Sequence, residues 1–118
     1  MLKAFSELVH EVAGHVRTVD AVGARTELEA NEGVLIDVRE PGEVEQRCAR
    51  GAEPVPRGML EVSLPERFPD PEQALYRHCA GGGRARLAAA QLEQLGYRRV
   101  TAIDASLEDI IEAFGHGD

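Results

Sequence analysis

Apolar residues along the chain switch between the continuous runs of buried strands and the spacing of amphipathic helices. The clearest strand covers residues 34–38, where a β-branched and apolar run is typical of a strand buried on both faces of a parallel sheet. Shorter runs of this kind predict strands at 15–19, 53–55, 74–78 and 99–103. Apolar positions at helical spacing predict helices at 2–13, 21–30, 84–95 and 107–114, with one or two helical turns at 59–67.

Residues with cap and turn preferences mark the ends of these elements. Asp20 is a good N-cap for the helix that follows it, and Asn31 and Gly33 are placed to close that helix. Gly96 is placed to end the longest helix. Apart from the short strand, residues 39–58 are expected to be irregular because Pro and Gly recur there.

The alternation of strands and helices predicts a single α/β domain with a small, mainly parallel sheet flanked by helices. A length of 118 residues suits one domain that buries its own core. We expect residues 1–14 to form a helical extension, packed on the domain or on a partner, and residues 15–118 to form the domain. In such sheets, sites form at the carboxyl ends of strands, and Cys79 directly follows a predicted strand.

Composition narrows the classes of function. The formal net charge of −8 argues against nucleic acid as a partner, because phosphate binding needs a positive field. No segment reaches the about 18 consecutive apolar residues of a membrane span, and the N-terminal residues lack the apolar run of a signal peptide. We therefore expect no membrane partner and a cytoplasmic location. Cys48 and Cys79 are then expected as free thiols. The histidines lack metal-ligand spacing, so no metal is expected. No cofactor is expected either.

Residues 79–84 carry the strongest chemical signal, with the sequence Cys-Ala-Gly-Gly-Gly-Arg between a predicted strand and a predicted helix. The backbone N–H groups of a glycine-rich turn and the helix dipole together favour an anion there. A cysteine that opens such a turn favours its thiolate, so Cys79 is the candidate nucleophile. Arg77, Arg84 and Arg86 are expected to add a basic cluster that attracts an anionic substrate.

Other interpretations of these residues stay open. A free cysteine is often a small buried apolar residue, and the glycines could form an ordinary turn. The segment lacks the lysine and the hydroxyl of a P-loop. Cys48 is interpreted as space-filling rather than as a cysteine that attacks an intermediate on Cys79. His78 is interpreted as a strand-end residue beside the site rather than as a general base.

Four segments together resemble the rhodanese family of sulfurtransferases. The pattern Cys-x-x-Gly-x-Arg at residues 79–84 is similar to the family's active-site loop, and Leu-Ile-Asp-Val-Arg-Glu-Pro at 35–41 resembles its upstream Asp-Val-Arg box. Residues 56–61 and 95–100 resemble a mid-domain segment and a helix-to-strand junction of the same family. The resemblance covers about residues 16–114. It implies a three-layer α/β domain with a small five-stranded sheet flanked by helices.

The resemblance also implies a reaction. The Cys79 thiolate would take sulfane sulfur from thiosulfate, a persulfide or a polysulfide, and would pass it on to a thiol, a protein or cyanide. Backbone N–H groups of the loop would hold the terminal sulfur. Arg84 is expected to fix the loop through a carboxylate, for which Asp37 and Glu40 are candidates. The implied substrate-binding residues are Ala80, Gly81, Gly82, Gly83, Arg84 and Arg86, and the implied loop-supporting residues are Asp37, Arg39 and Glu40.

Departures from the family pattern keep rival functions open. The usual Gly-His-Ile-Pro-Gly-Ala segment appears as Arg-Cys-Ala-Arg-Gly-Ala at 47–52, which favours a non-catalytic binding or regulatory module as the second hypothesis. A cysteine-dependent phosphatase or arsenate reductase is disfavoured, because it needs one residue more than the four between Cys79 and Arg84. The expected partners are a small sulfur-anion donor and a thiol or protein acceptor. The expected assembly is a monomer or a weak homodimer.

Overall fold

Strands and helices follow one another in alternation, as the apolar pattern predicts. The computed structural model describes residues 2–13, 16–78 and 83–117. Within these residues the strands are β1 (Thr18–Val19), β2 (Val34–Asp37), β3 (Glu53–Pro54), β4 (Leu75–His78) and β5 (Val100–Ile103). The helices are α1 (Phe5–Ala13), α2 (Ala21–Asn31), α3 (Pro41–Gln46), α4 (Leu60–Arg67), α5 (Gly83–Leu95) and α6 (Leu107–Phe114), and a 3₁₀ turn at Arg57–Met59 precedes α4.

All five strands pair in parallel, in the order β1-β5-β4-β2-β3. The central strand, β4, pairs with β2 on one side and β5 on the other, and all four of its residues are buried. Because the strands are parallel, their carboxyl ends meet at one edge of the sheet. β4 ends at the centre of that edge.

Two apolar clusters cover the two faces of the sheet. On one face the buried side chains come from α4 and α5, and on the other they come from α2 and α6. The sheet therefore lies between two helical layers, which confirms the predicted three-layer α/β fold. The central members of these clusters are Ile36, Leu60, Leu64, Leu75 and Leu92 on the first face, and Ala24, Leu35, Ile103 and Ile110 on the second.

The N-terminal helix α1 lies against α5, so it packs on the domain as expected. Its contact is partial, since Phe5 and Leu8 keep 52% and 40% of their surface exposed. The boundary predicted between residues 14 and 15 stays a prediction. None of the helices in the described ranges is long and apolar enough to cross a membrane.

One helix lies where the sequence predicts irregular chain. Pro41 fills the first position of α3, where a missing N–H is tolerated. The backbone N–H of Glu40 donates to Glu43 Oε1 at 3.2 Å, which satisfies a backbone donor at the helix start. The Pro and Gly of this segment therefore begin a short helix, and the prediction of irregular structure is wrong at 41–46.

Helix α2 begins as predicted but ends differently. Asp20 is its N-cap and accepts a hydrogen bond from the Gly23 N–H at 2.7 Å. The C-cap is Glu32, in the left-handed region at φ 56°, rather than Asn31 or Gly33. The latter two still help to close the helix, because the Gly33 N–H donates to Asn31 Oδ1 at 2.9 Å.

Candidate active site

The predicted nucleophilic loop falls between the last residue of β4, His78, and the first residue of α5, Gly83. Cys79, Ala80, Gly81 and Gly82 lie outside the described residues. The described structure therefore defines the surroundings of the loop: the residues on either side of it and the segments that hold them.

On the strand side, His78 is fully buried at the centre of the carboxyl edge. It pairs in register with Asp37 of β2, and its Nε2 atom lies 3.7 Å from Asp37 Oδ2. The carbonyl oxygen of His78 accepts a hydrogen bond from the Val38 N–H at 3.0 Å. The residue that precedes Cys79 is thus fixed to the end of β2.

Asp37 and Arg39 form a buried ion pair beside His78. The Arg39 guanidinium donates through Nη2 and Nε to Asp37, with distances of 2.7 Å from Nη2 to Oδ2 and 3.0 Å from Nε to Oδ1. Nη2 also donates to the carbonyl oxygen of Arg47 at 2.6 Å. Both side chains are at most 3% exposed, so loss of one partner would leave an uncompensated buried charge. The pair ties the end of β2 to the chain that follows α3.

On the helix side, Arg84 is held by α3. Its Nη1 and Nη2 atoms donate to Glu43 Oε1 and Oε2 at 2.7 and 2.9 Å, in the bidentate geometry that suits a guanidinium and a carboxylate. These hydrogen bonds lower the pKa of Glu43 from 4.5 to about 2. The residues on both sides of the loop are therefore attached to the same β2–α3 segment.

The carboxylate that binds Arg84 corrects the sequence-based expectation. Asp37 is bound by Arg39, and Glu40 is exposed and begins α3, so neither of the two expected candidates takes this role. Glu43 was missed because residues 39–58 were expected to be irregular. The signal that points to it is its place three residues after Glu40, behind the Pro41 of a helix start.

The expected basic cluster is also different in the structure. Arg77 is completely buried, so it cannot meet a substrate. Arg84 binds Glu43, and Arg86 binds Asp104 through Nη2. The arginines around the loop are thus paired with carboxylates or buried, and they do not form a set of uncompensated surface cations.

Cys48 lies after α3, half-buried against the C-terminal segment. The Gly117 N–H donates to the Cys48 carbonyl oxygen at 2.9 Å, and a side chain added at Gly117 would meet Cys48 Sγ at 2.7 Å. This close packing agrees with a space-filling role.

A sequence model of the rhodanese-like domain matches residues 20–113, which is most of the chain. The chain belongs to the rhodanese-like domain family. This membership confirms the resemblance carried by the four sequence segments. No curated protein sequence matches the chain significantly.

Solved structures with the rhodanese-like fold resemble the chain over most of its length. A protein of unknown function from Rhodopseudomonas palustris, described as a possible tyrosine phosphatase, has a TM-score of 0.82 at 24% identity, over 96% of this chain and 92% of that chain. The polysulfide-sulfur transferase homodimer from Wolinella succinogenes has a TM-score of 0.76 at 25% identity, over 92% and 82%. The human single-domain sulfurtransferase TSTD1 has a TM-score of 0.72 at 26% identity, over 82% and 96%.

These similarities support different conclusions. The Rhodopseudomonas protein, below 25% identity, shows a common fold alone. Family membership and the sulfurtransferase neighbours support a sulfurtransferase-type protein with sulfur donors and acceptors as partners.

Proposed function

We propose that this rhodanese-like domain is a sulfurtransferase that carries sulfane sulfur as a persulfide on Cys79. The observation that carries the proposal is the position of Cys79 in a domain of this family. Cys79 directly follows the central strand, and four residues separate it from Arg84. Arg84 lies in the first turn of α5 and is held by Glu43 of α3.

In the proposed first step, the Cys79 thiolate attacks the outer sulfur of the donor. A bond forms between the cysteine sulfur and that outer sulfur, and the donor's S–S bond breaks. The electron pair of that bond leaves with sulfite when the donor is thiosulfate, or with a thiolate or a shorter polysulfide when it is a persulfide or polysulfide. No general base is required, because the nucleophile is already ionised.

In the second step, an acceptor thiolate or cyanide attacks the terminal sulfur of the persulfide and releases the Cys79 thiolate. The loop residues Ala80, Gly81, Gly82 and Gly83 would hold the terminal sulfur through their N–H groups. Arg84 would act through its anchor on Glu43, and Asp37 with Arg39 would support the segment that carries this anchor. We place the reaction in the reducing cytoplasm, where Cys48 and Cys79 are not expected to form a disulfide.

The proposal predicts a covalent adduct that intact-mass measurement detects. Incubation with thiosulfate or polysulfide should add about 32 Da, the mass of one sulfur atom, and a thiol or cyanide should remove it. Cys79→Ser should abolish the adduct. Cys48→Ser is the matched control, because it removes the only other cysteine of the chain and should leave the adduct in place.

Two outcomes would replace the proposal. Absence of an adduct with every sulfane donor, together with a Cys79 thiol of ordinary pKa near 8.5, would indicate a non-catalytic binding module. Turnover of an aryl phosphate would indicate a phosphatase, against the short spacing between Cys79 and Arg84.

A further inference from the structure

Helix α3 carries Glu43, the residue that binds Arg84, but it has no apolar anchor of its own. None of its six side chains is buried. Most helices are fixed to a domain by the burial of an apolar face, and α3 lacks one. The position of Glu43 therefore depends on the segments at the two ends of α3 and on the ion pair itself.

The chain before α3 is fixed by the sheet. The Val38 N–H donates to the His78 carbonyl oxygen at 3.0 Å, and Arg39 binds Asp37 in the interior. Both contacts continue the pairing between β2 and β4. The start of α3 thus follows directly from a strand inside the sheet.

The chain after α3 is held by the residues that follow α6, here called the 115–117 segment. The Arg50 N–H donates to the Gly115 carbonyl oxygen at 2.8 Å. The Gly117 N–H donates to the Cys48 carbonyl oxygen at 2.9 Å. Two backbone hydrogen bonds, one in each direction, therefore connect the chain after α3 to a segment that is distant in sequence.

Side chains strengthen this connection. Ala49 forms an antiparallel bridge with His116, and its side chain is buried in the apolar cluster of α2 and α6. Arg47 forms an ion pair with Glu108 of α6 at 3.2 Å, and this pair contributes little to stability because both groups are exposed. The backbone hydrogen bonds and the buried alanine are therefore the main contacts after α3.

These contacts lie close to Glu43 along the chain. The Arg47 N–H donates to the Glu43 carbonyl oxygen at 3.3 Å, and the Arg47 carbonyl oxygen accepts from Arg39 Nη2 at 2.6 Å. Cys48 is the next residue after Arg47. A displacement of Cys48 would therefore be transmitted to Glu43 through the last turn of α3.

Gly117 packs so closely on this chain that a larger residue would not fit. A Cβ atom added at Gly117 would meet Cys48 Sγ at 2.7 Å and the Ala49 carbonyl oxygen at 3.0 Å. Both distances are shorter than an ordinary van der Waals contact. A side chain at this position would push the 115–117 segment away from the chain after α3.

We propose that the 115–117 segment positions the site: by holding the chain after α3, it keeps Glu43 where it binds Arg84. The segment is a positioning element and not a catalytic one, because it acts through Glu43. Its effect on sulfur transfer rests on the proposed function. Its effect on the contact between Glu43 and Arg84 does not, and can be measured without any substrate.

The test displaces the 115–117 segment by substitution at Gly117. Gly117→Ala adds the methyl group, and Gly117→Pro also removes the N–H that donates to Cys48. Cys48→Ala combined with Gly117→Ala removes the Sγ atom that the methyl group meets, so it should restore part of the packing. Gly42→Ala is the matched control, because a methyl group at this position of α3 would enter open space.

The first measurement is the pKa of Glu43, from an NMR titration of its carboxyl group. The hydrogen bonds from Arg84 lower this pKa to about 2. In Gly117→Ala and Gly117→Pro it should rise towards the ordinary 4.5, because the bidentate contact is weakened. It should fall again when Cys48→Ala is added to Gly117→Ala, and it should stay low in Gly42→Ala.

The second measurement is the rate of persulfide formation on Cys79. This rate should fall roughly tenfold in both Gly117 variants and in Glu43→Gln, since displaced supporting residues slow a reaction that depends on geometry. Gly117→Ala should lower the rate no further in a Glu43→Gln background, because both changes act through the same contact. A further fall in that background would contradict the proposal.

Failure of this inference is distinguishable from failure of the proposed function. An unchanged Glu43 pKa in both folded Gly117 variants would overturn the inference, and so would loss of the whole fold in both. If these proteins still form the persulfide, the sulfurtransferase proposal stands without it. A raised Glu43 pKa in a protein that forms no persulfide with any donor would support the positioning role and reject the proposed function.

Discussion

Glu43 shows how a single residue can connect two sides of a site. It lies in α3, 41 positions before Arg84, and holds both guanidinium Nη atoms of that arginine. The Glu40 backbone N–H donates to the same carboxylate and starts the helix. Its position relative to Glu40 is visible in the sequence, but its partner is not, because the pairing depends on how α3 and α5 meet at the edge of the sheet.

The pKa of Glu43 predicts a pH-dependent contribution to stability. Its folded-state pKa of about 2 is below the ordinary 4.5, so the contribution is fully present above about pH 4.5 and is lost as the pH falls towards 2. Glu43→Gln should lower the free energy of unfolding by about 0.5–1 kcal/mol at neutral pH, a small amount because the pair is partly exposed. Urea unfolding at pH 7 and at about pH 3 measures the change, which should shrink at the lower pH.

Glu45→Gln is the control for this measurement, because Glu45 is exposed in the same helix. It should change stability little at either pH. A destabilisation by Glu43→Gln that is equal at both pH values would show that the ion pair with Arg84 is not its cause.

At the scale of elements, apolar periodicity predicts the bounds of the long helices well, whereas the short helix α3 depends on its cap residues and side-chain hydrogen bonds. The apolar spacing locates α2, α5 and α6 to within a residue or so of their ends. The six residues of α3 contain no buried side chain, so they leave no apolar stripe in the sequence. The cap residues begin the helix, and hydrogen bonds from Arg39 and Arg84 attach it to the rest of the domain.

The end of α2 offers a test of local backbone strain. Glu32 has φ 56° and ψ 29°, a conformation that disfavours a residue with a side chain and suits glycine. Glu32→Gly should therefore raise the free energy of unfolding by about 0.5–1 kcal/mol. Ala30→Gly, at an exposed position inside the same helix, should lower it by about 1 kcal/mol. Equal destabilisation by both substitutions in denaturant unfolding would contradict the assignment of strain to Glu32.

At the scale of the whole molecule, the charge opposes the approach of an anionic donor. The chain carries a net charge of −8, and the surface arginines at the loop, Arg84 and Arg86, are paired with carboxylates. Long-range attraction of thiosulfate by a basic surface is therefore not expected. On the proposed mechanism, the electrostatic help for the thiolate acts at short range, from the loop N–H groups.

This charge balance predicts an effect of salt. The rate of persulfide formation from thiosulfate should rise when ionic strength increases from about 10 to 150 mM, because the Debye length falls from about 30 to 8 Å and screens the repulsion. Alkylation of Cys79 by neutral iodoacetamide should change little over the same range. A thiosulfate rate that falls with salt would indicate an attractive field at the loop and contradict the prediction.

The sequence by itself determined the α/β class, the succession of strands and longer helices along the chain, the resemblance to the family and the spacing between Cys79 and Arg84. These features follow from local periodicity and from motifs, which depend on residues that are close together in the sequence. The tertiary structure alone decided that Glu43 binds Arg84, that Asp37 binds Arg39, and that Arg77 is buried with no carboxylate partner among the residues that the structure describes. The physical reason is that the partner and the burial of a charge depend on which distant segments pack together, and no local pattern records that packing.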